Sequence, residues 1–187
     1  MNERASKFVN GEDLLDGKVA YTEYGRRIIH HTWKTTEIPP KRRSDYDSWT
    51  LYHPEGVLRV FWTDKGNQRL VEESYAEFKE LYHSLELPIE RVDMVRLLYL
   101  HKYGGIYAGL DYEAKTNLFD VLPSSDKDAV MAVQSGVLLN EVLRNSLMVA
   151  NSPGHPYWYA CVRNIENIIR FINDPEKRSR WKLLSLV

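Results

Sequence analysis

The sequence predicts an α/β fold, a sheet flanked by helices, and three observations carry that reading. Short runs rich in β-branched and aromatic residues, at 27–34, 57–63, 106–110 and 129–134, read as buried strands. Between them, residues 68–85 and 89–101 have apolar side chains at helical spacing. Strands that alternate with helices in this way are the signature of an α/β sheet.

The elements follow in order. Residues 1–25 are polar with little periodicity and read as a loose N-terminal arm, with one short helix near Gly11–Leu15. Residues 26–187 read as a single domain. Arg27-Ile28-Ile29-His30-His31-Thr32-Trp33-Lys34 opens it as a strand. Residues 35–43, with Pro39-Pro40, are a loop, after which Ser44 is placed to cap a helix over 45–52 that Pro54 and Gly56 end. The second strand, 57–63, stops at Asp64-Lys65-Gly66-Asn67. One helix over 68–85 follows, and Pro88 suits the first turn of the next. Ile89, Val92, Val95, Leu97 and Leu98 form that helix's predicted buried stripe. Gly104-Gly105 then breaks the chain into the strand at 106–110. Asn117–Leu122 is a short helix or turn, 129–134 a strand, 142–149 an apolar segment and 157–172 the last long helix. The basic run Lys177-Arg178-Ser179-Arg180 reads as a solvated end.

Composition narrows the function. With 187 residues, 43% hydrophobic and 27% charged, the chain is long enough for a sizeable core. A net charge of -1 offers no global field for nucleic acid or an anionic membrane. A single cysteine, Cys161, excludes an intrachain disulfide and a cysteine-based metal site, and reads as a small buried hydrophobe. The N-terminus has no apolar signal region, and no stretch approaches the length of a membrane span.

The chemistry centres on residues 97–113. A helix end, two glycines and a short apolar strand lead there to Asp111 and Glu113. Acids just past the carboxyl end of a buried strand sit where α/β proteins place ligand contacts. Asp111 and Glu113, two apart, would face one side of an extended chain and offer hard oxygen ligands to Mg²⁺ or Mn²⁺. Asp93 and Arg96, three apart on one helical face, read either as a surface ion pair or as part of the same pocket. Trp33 can present an aromatic face to a nucleobase, or be simple core. Of His30 and His31, one is expected to face inward as a hydrogen-bonded core histidine. His155, in a Pro-Gly-His-Pro turn, is expected near the pocket rim.

Ile28-Ile29-His30-His31-Thr32-Trp33-Lys34 is similar to the "IPKIIHQTW" opening of glycosyltransferase family 32, the DXD-containing sugar transferases that include fungal mannosyltransferases. Arg91-Val92-Asp93-Met94-Val95-Arg96, with Tyr103-Gly104-Gly105-Ile106-Tyr107, resembles the family core "R-x-D-x-x-R…GG-[IV]-Y-x-D-x-D". Asn145-Ser146-Leu147-Met148, with Ser152-Pro153-Gly154-His155-Pro156-Tyr157, resembles its downstream block. The resemblance implies a GT-A-like, Rossmann-like mixed sheet. It implies retaining, divalent-metal-dependent transfer of a hexose, mannose favoured, from a nucleotide sugar to a glycan, glycolipid or glycoprotein. The donor would be GDP-mannose or a UDP-sugar and the metal Mn²⁺ or Mg²⁺. Trp33 would stack on the donor base, and Tyr107, Ala108 and Gly109 would line the nucleotide. Asp93 and Arg96 would hold sugar and diphosphate, and Asp111, with Glu113, the metal; the catalytic set is Asp93, Arg96 and Asp111.

Two departures accompany the resemblance. The first aspartate of the DXD is Gly109 here, and family members continue past the length seen, which implies a compact member or a fragment. Gly109 keeps a second reading open, a catalytically silent domain that binds a nucleotide sugar, a glycan or a protein partner. A third, an unrelated α/β domain with accidental motifs, stands beside them. Compartment is left open: the Golgi or another endomembrane if a flanking anchor exists, otherwise the cytoplasm. Oligomeric state is likewise unassigned.

Overall fold

The computed structural model describes residues 6–122, 129–135 and 141–174. They form a six-stranded mixed sheet between two helical layers, as the strand and helix patterns predict. The strands are β1 (Lys7–Asn10), β2 (Ile28–Thr32), β3 (Leu58–Trp62), β4 (Gly105–Ala108), β5 (Ala129–Ser135) and β6 (Glu141–Ala150), in the order β1-β3-β2-β4-β6-β5. The first four run parallel, β6 runs antiparallel to β4, and β5 antiparallel to β6.

The helices are α1 (Gly11–Leu15), α2 (Arg43–Tyr52), α3 (Asp64–Ser74), α4 (Lys79–Ser84), α5 (Pro88–Tyr103), α6 (Leu118–Val121) and α7 (Pro156–Asn173). Alternation along the strands decides which layer each side chain meets. Ile28, Leu58, Val60, Trp62, Tyr107 and Met148 pack with α3, α4, α5 and α7. Ile29, Ile106, Ala108 and Val149 pack on the other face with Trp49 of α2 and Phe119 of α6.

Several expectations are corrected. Residues 7–10 are no loose arm, while the short helix expected near Gly11–Leu15 is α1. Lys7 to Asn10 pair in parallel with Leu58 to Phe61, and Lys7 N donates to the Val57 carbonyl at 2.9 Å. An edge strand of four mostly exposed residues, held by its backbone, leaves no apolar pattern to read. Gly11 follows it because the Trp62 ring lies where its Cβ would be. Ser44 caps nothing: α2 starts at Arg43, directly after a 3-10 turn at Pro40–Arg42, without a side-chain cap. Residues 64–67 do not end β3 as a loop but form the first turn of α3, capped by Thr63, whose side chain accepts from Gly66 N at 3.2 Å. The predicted helix 68–85 is two helices. The ladder breaks at Tyr75 (φ -142°, ψ 50°), whose buried ring puts its hydroxyl 2.7 Å from His101 Nδ1.

Gly104 and Gly105 have structural work. Both hold positive φ, 68° and 88°. A Cβ on Gly105 would collide with the Ile28 carbonyl of β2, so only glycine lets α5 turn into β4 at this separation. His30 and His31 are both buried, on opposite faces of β2, where one was expected to face inward. Trp62 Nε1–H can only donate, so His30 Nδ1 accepts it at 3.1 Å and Nε2–H donates to the Gly104 carbonyl at 3.0 Å. Burial lowers the His30 pKa to about 4. His31 donates through Nδ1 to the Ala108 carbonyl at 3.0 Å, while Arg59 approaches Nε2; burial and then Arg59 hold it neutral. Two neutral imidazoles thus pin β2 to both ends of β4.

Cys161, read as buried, is half-buried and packs at the margin of the larger core. Residues 177–180 lie outside the described residues. Among the described residues, no helix is long and apolar enough to cross a membrane.

Candidate active site

Connections leave β2 and β4 in opposite directions. After β2 the chain moves to β3 on one side, and after β4 it moves to β5 and β6 on the other. Such a divergence opens a crevice at the carboxyl ends of the two strands. A cavity of about 720 Å³ lies there, walled by the ends of β2, β3 and β4, the first two turns of α5, and β6.

Trp33 stands one residue beyond β2, half-buried, with its N–H on the Trp62 carbonyl at 3.1 Å. Leu87, Pro88, Ile89 and Val92 line the facing wall. That is why Ile89 is 57% exposed and Val92 only half-buried, against the predicted stripe: the first turn of α5 borders the cavity, not the core. The buried part of the helix begins at Met94.

Asp93 and Arg96 belong to this cavity and are also an ion pair, Arg96 Nη2 to Asp93 Oδ1 at 2.7 Å. Arg96 is only 5% exposed. Its Nε–H donates to the Val92 carbonyl at 3.3 Å, and Nη1 donates to the carbonyl and side-chain oxygens of Asn145 at 2.9 and 3.2 Å. The guanidinium lies 4.7 Å from the centre of the Tyr107 ring. Burial pushes the Tyr107 phenol up to about 12, against the opposing pull of Arg96, so it stays protonated. Asp64, on the β3 side of the cavity, is held above the usual carboxylate range by burial.

Asn145 arrives through an irregularity of β6. Met148 pairs with Met131 and Arg144 with Ala132, so residues 145–147 have no partner on β5. A bulge of this kind re-aims side chains. Arg144, Asn145 and Ser146 all line the cavity, and the Ser146 carbonyl accepts from Gly109 N at 2.8 Å.

The strand β4 ends at Ala108, two residues short of the prediction, and a turn follows, closed by Tyr112 N on the Gly109 carbonyl at 3.1 Å. Asp111 and Glu113 therefore do not share a face. Asp111 lines the cavity; Glu113 is exposed and pairs with Lys115 at 2.6 Å. Residues 112–114 are held to α2 instead: Trp49 Nε1–H donates to the Tyr112 carbonyl at 2.7 Å, and Ala114 N to Ser48 Oγ at 2.8 Å. Ala108 points its methyl into the core beside Ile29 and Trp49, away from the cavity. His155 caps α7 by accepting from Tyr157 N, in a loop that packs against Gly104 at the opposite end of β4.

The structure thus brings together Trp33, Asp93, Arg96, Tyr107, Gly109 and Asp111, and leaves Ala108 and Glu113 outside. It adds Lys34, Arg42, Asp64, Arg144, Asn145 and Ser146. Of these, Asn145 and Ser146 stand in the asparagine block downstream and Lys34 closes the opening block, while Arg42, Asp64 and Arg144 had no signal in the sequence. Among the described residues, no three metal-ligating side chains cluster. The single carboxylate of Asp111 fits an ion that takes its other ligands from a diphosphate and water, not a site preformed by protein.

Fold and site define an α/β domain with a cavity at the switch point of its sheet, apolar along the first turn of α5 and lined elsewhere by charged side chains. Residues 39–129 match the family described as glycosyltransferase sugar-binding region containing DXD motif, and the chain carries a domain of that family. It is 35% identical over 139 residues to inositol phosphoceramide mannosyltransferase 3 of Schizosaccharomyces pombe, across 74% of this chain and 36% of that protein. It is 29% identical to mannosyl phosphorylinositol ceramide synthase CSH1 of Saccharomyces cerevisiae, across 75% of this chain and 35% of that one. The chain therefore spans little more than a third of these relatives' length. A solved glycosyltransferase, PaToxG, overlaps 88% of this chain and 71% of its own at 14% identity and a TM-score of 0.45.

Proposed function

We propose that the domain transfers a hexose, mannose in preference, from a nucleotide sugar to a hydroxyl of a glycan or glycolipid, with retention at the anomeric carbon. The observation that carries this is the convergence of Trp33, the Asp93–Arg96–Asn145 cluster and Asp111 on one cavity. The relatives' names as mannosyltransferases on inositol phosphoceramide support the sugar and a lipid-linked acceptor.

In this reading Trp33 stacks on the base. Arg96, oriented by Asp93 and Asn145, faces the diphosphate, and Asp93 also meets the sugar. The bond from the anomeric carbon to the phosphate oxygen breaks, an acceptor hydroxyl oxygen bonds to that carbon from the same face, and its proton passes to the departing phosphate. Positive groups fixed where that charge develops lower the barrier. Asp111 would hold Mn²⁺ or Mg²⁺ together with the donor, and such an ion supplies Lewis-acid neutralisation of the leaving diphosphate.

The test is release of nucleoside diphosphate from GDP-mannose and UDP-sugars, with and without Mn²⁺, read by mass spectrometry. Mn²⁺-stimulated release that Asp111→Ala abolishes is the expected result. Gly109 favours the other reading, a silent binding domain. Donor binding without turnover, with turnover gained in Gly109→Asp, would establish that alternative.

A further inference from the structure

Arg96 is mostly engaged. Of its five N–H groups, four point at Val92, Asn145 (twice) and Asp93, and the Asp93 carboxylate offsets its charge. Arg42 also lines the cavity, with Asp45 3.8 Å away. Two other cations of the lining, Lys34 and Arg144, have no hydrogen-bond or ion-pair partner for their charged ends among the described residues. Two carboxylates of the lining, Asp64 and Asp111, are likewise without a hydrogen-bond or ion-pair partner among the described residues, and Asp64 lies within the electrostatic reach of Lys34. Asp111 Oδ1 lies only 2.6 Å from where a Cβ of Gly109 would stand. An aspartate at 109, as the DXD pattern has it, would set three carboxylates against these two cations. With glycine they stand two against two, and Lys34 and Arg144 keep charge to offer an anionic ligand.

Topology puts these two cations on either side of the same turn. Lys34 follows β2, Arg144 belongs to β6, and β4, which leads into Gly109-Leu110-Asp111, lies between them. Two strand spacings, roughly 10 Å, separate the flanking strands. Two long flexible side chains can close that gap on a diphosphate.

We propose that Lys34 and Arg144 bind the diphosphate of a nucleotide directly, so that nucleoside diphosphate binding to this chain does not need a divalent ion. The inference rests on the nucleotide-sugar reading above and assigns the charge compensation within it. Lysine and arginine both form charge-assisted hydrogen bonds to phosphate oxygens, and the charge that Mn²⁺ would otherwise neutralise is met here by protein. The ion, where it acts, then serves transfer more than binding.

The test is titration of GDP and UDP, followed by isothermal calorimetry, in EDTA and in Mn²⁺. The expected dissociation constants for the better nucleotide agree within about threefold between the two conditions. Arg144→Ala and Lys34→Ala should each weaken binding in EDTA by about tenfold, the loss of one charge-assisted contact. Both side chains are exposed, so the variants keep the fold, checked by unchanged melting. Gly109→Asp should weaken binding in EDTA and regain it with Mn²⁺. Binding that requires Mn²⁺ in the unaltered chain, or that is indifferent to both substitutions, overturns the inference and leaves the nucleotide-sugar reading standing. Absence of nucleotide binding in both conditions overturns both.

Discussion

Replacing His30 with glutamine should flatten the acid limb of the protein's stability curve. His30 accepts from Trp62 and donates to the Gly104 carbonyl, a pattern that only the neutral ring can satisfy. Protonation would set a second N–H against the indole N–H. Burial accordingly lowers its folded pKa to about 4, against 6.5 for the free side chain. Between those values the unfolded chain binds the proton and the folded one does not, so stability rises with pH across the window and is lost as pH falls from about 6.5 to about 4. At about 1.4 kcal/mol per unit, the 2.5-unit gap amounts to about 3 kcal/mol, of which about 1 kcal/mol falls between pH 6 and pH 5. That is a large part of the 5–15 kcal/mol typical of a domain. Urea unfolding at half-unit pH steps reads it directly. The glutamine amide can still accept from Trp62 and donate to Gly104, so His30→Gln should fold. Its stability should fall less steeply than the parent's, by about 1 kcal/mol over pH 6 to 5. Equal slopes for the two proteins would refute the assignment of a neutral, buried His30. His31, lowered in the same sense, keeps some slope in both.

Gly105→Ala and Gly154→Ala separate collision from strain. Both positions have positive φ, but a Cβ at Gly105 strikes the Ile28 carbonyl while one at Gly154 meets nothing within 4 Å. Gly154→Ala should cost about 1 kcal/mol in urea unfolding and Gly105→Ala at least twice that; equal losses would refute the close approach of the start of β4 to β2. Trp33→Ala should weaken nucleotide binding by about 1–3 kcal/mol in calorimetry, the value of one base stack, with little change in melting because the ring is only half-buried. Asn145→Ala removes one of the two Asn145 acceptors of Arg96 and keeps the backbone one. It should lower kcat/KM for donor hydrolysis by about tenfold, in line with a hydrogen bond to a charged group, and wild-type kinetics would count against a positioning role.

The fold was legible where its chemistry is periodic. β2, β3 and β4 carry dense apolar runs because both faces of a parallel sheet are covered, and α5 and α7 carry helical stripes. β1 was hidden because an edge strand pairs through backbone groups that every sequence has. The break at Tyr75 was hidden because its cause, the hydroxyl contact with His101 of α5, lies 26 residues away. The cap at Thr63 was readable in principle, but Asp64-Lys65-Gly66-Asn67 spells a turn as strongly as a first helical turn.

Site residues divide along a similar line. Trp33 and Asp111 stand just past the ends of β2 and β4, and the family resemblance, not spacing alone, gathers them with Asp93 and Arg96 of α5. Glu113 is misplaced when strand geometry is continued past Ala108, where the chain already turns, and Ala108, assigned by the resemblance, faces away from Tyr107 by strand alternation. A strand that stops two residues early changes which side chains share a face, and Glu113 goes to Lys115. Arg144 and Asn145 depend on the bulge of β6, and a bulge is set by the register of two strands, not by either one. Asn145 stands in a readable motif, but its contact with Arg96 is legible only once β5, β6 and β4 are laid side by side. The same bulge decides the charge of the cavity, since it brings Arg144 to the rim opposite Lys34. Glycine in place of a DXD aspartate at 109, and Arg144 with no ion-pair partner among the described residues, act in one direction. On the binding mode proposed above, such a cavity would neutralise an anionic ligand more through Lys34 and Arg144 than through an ion held by Asp111.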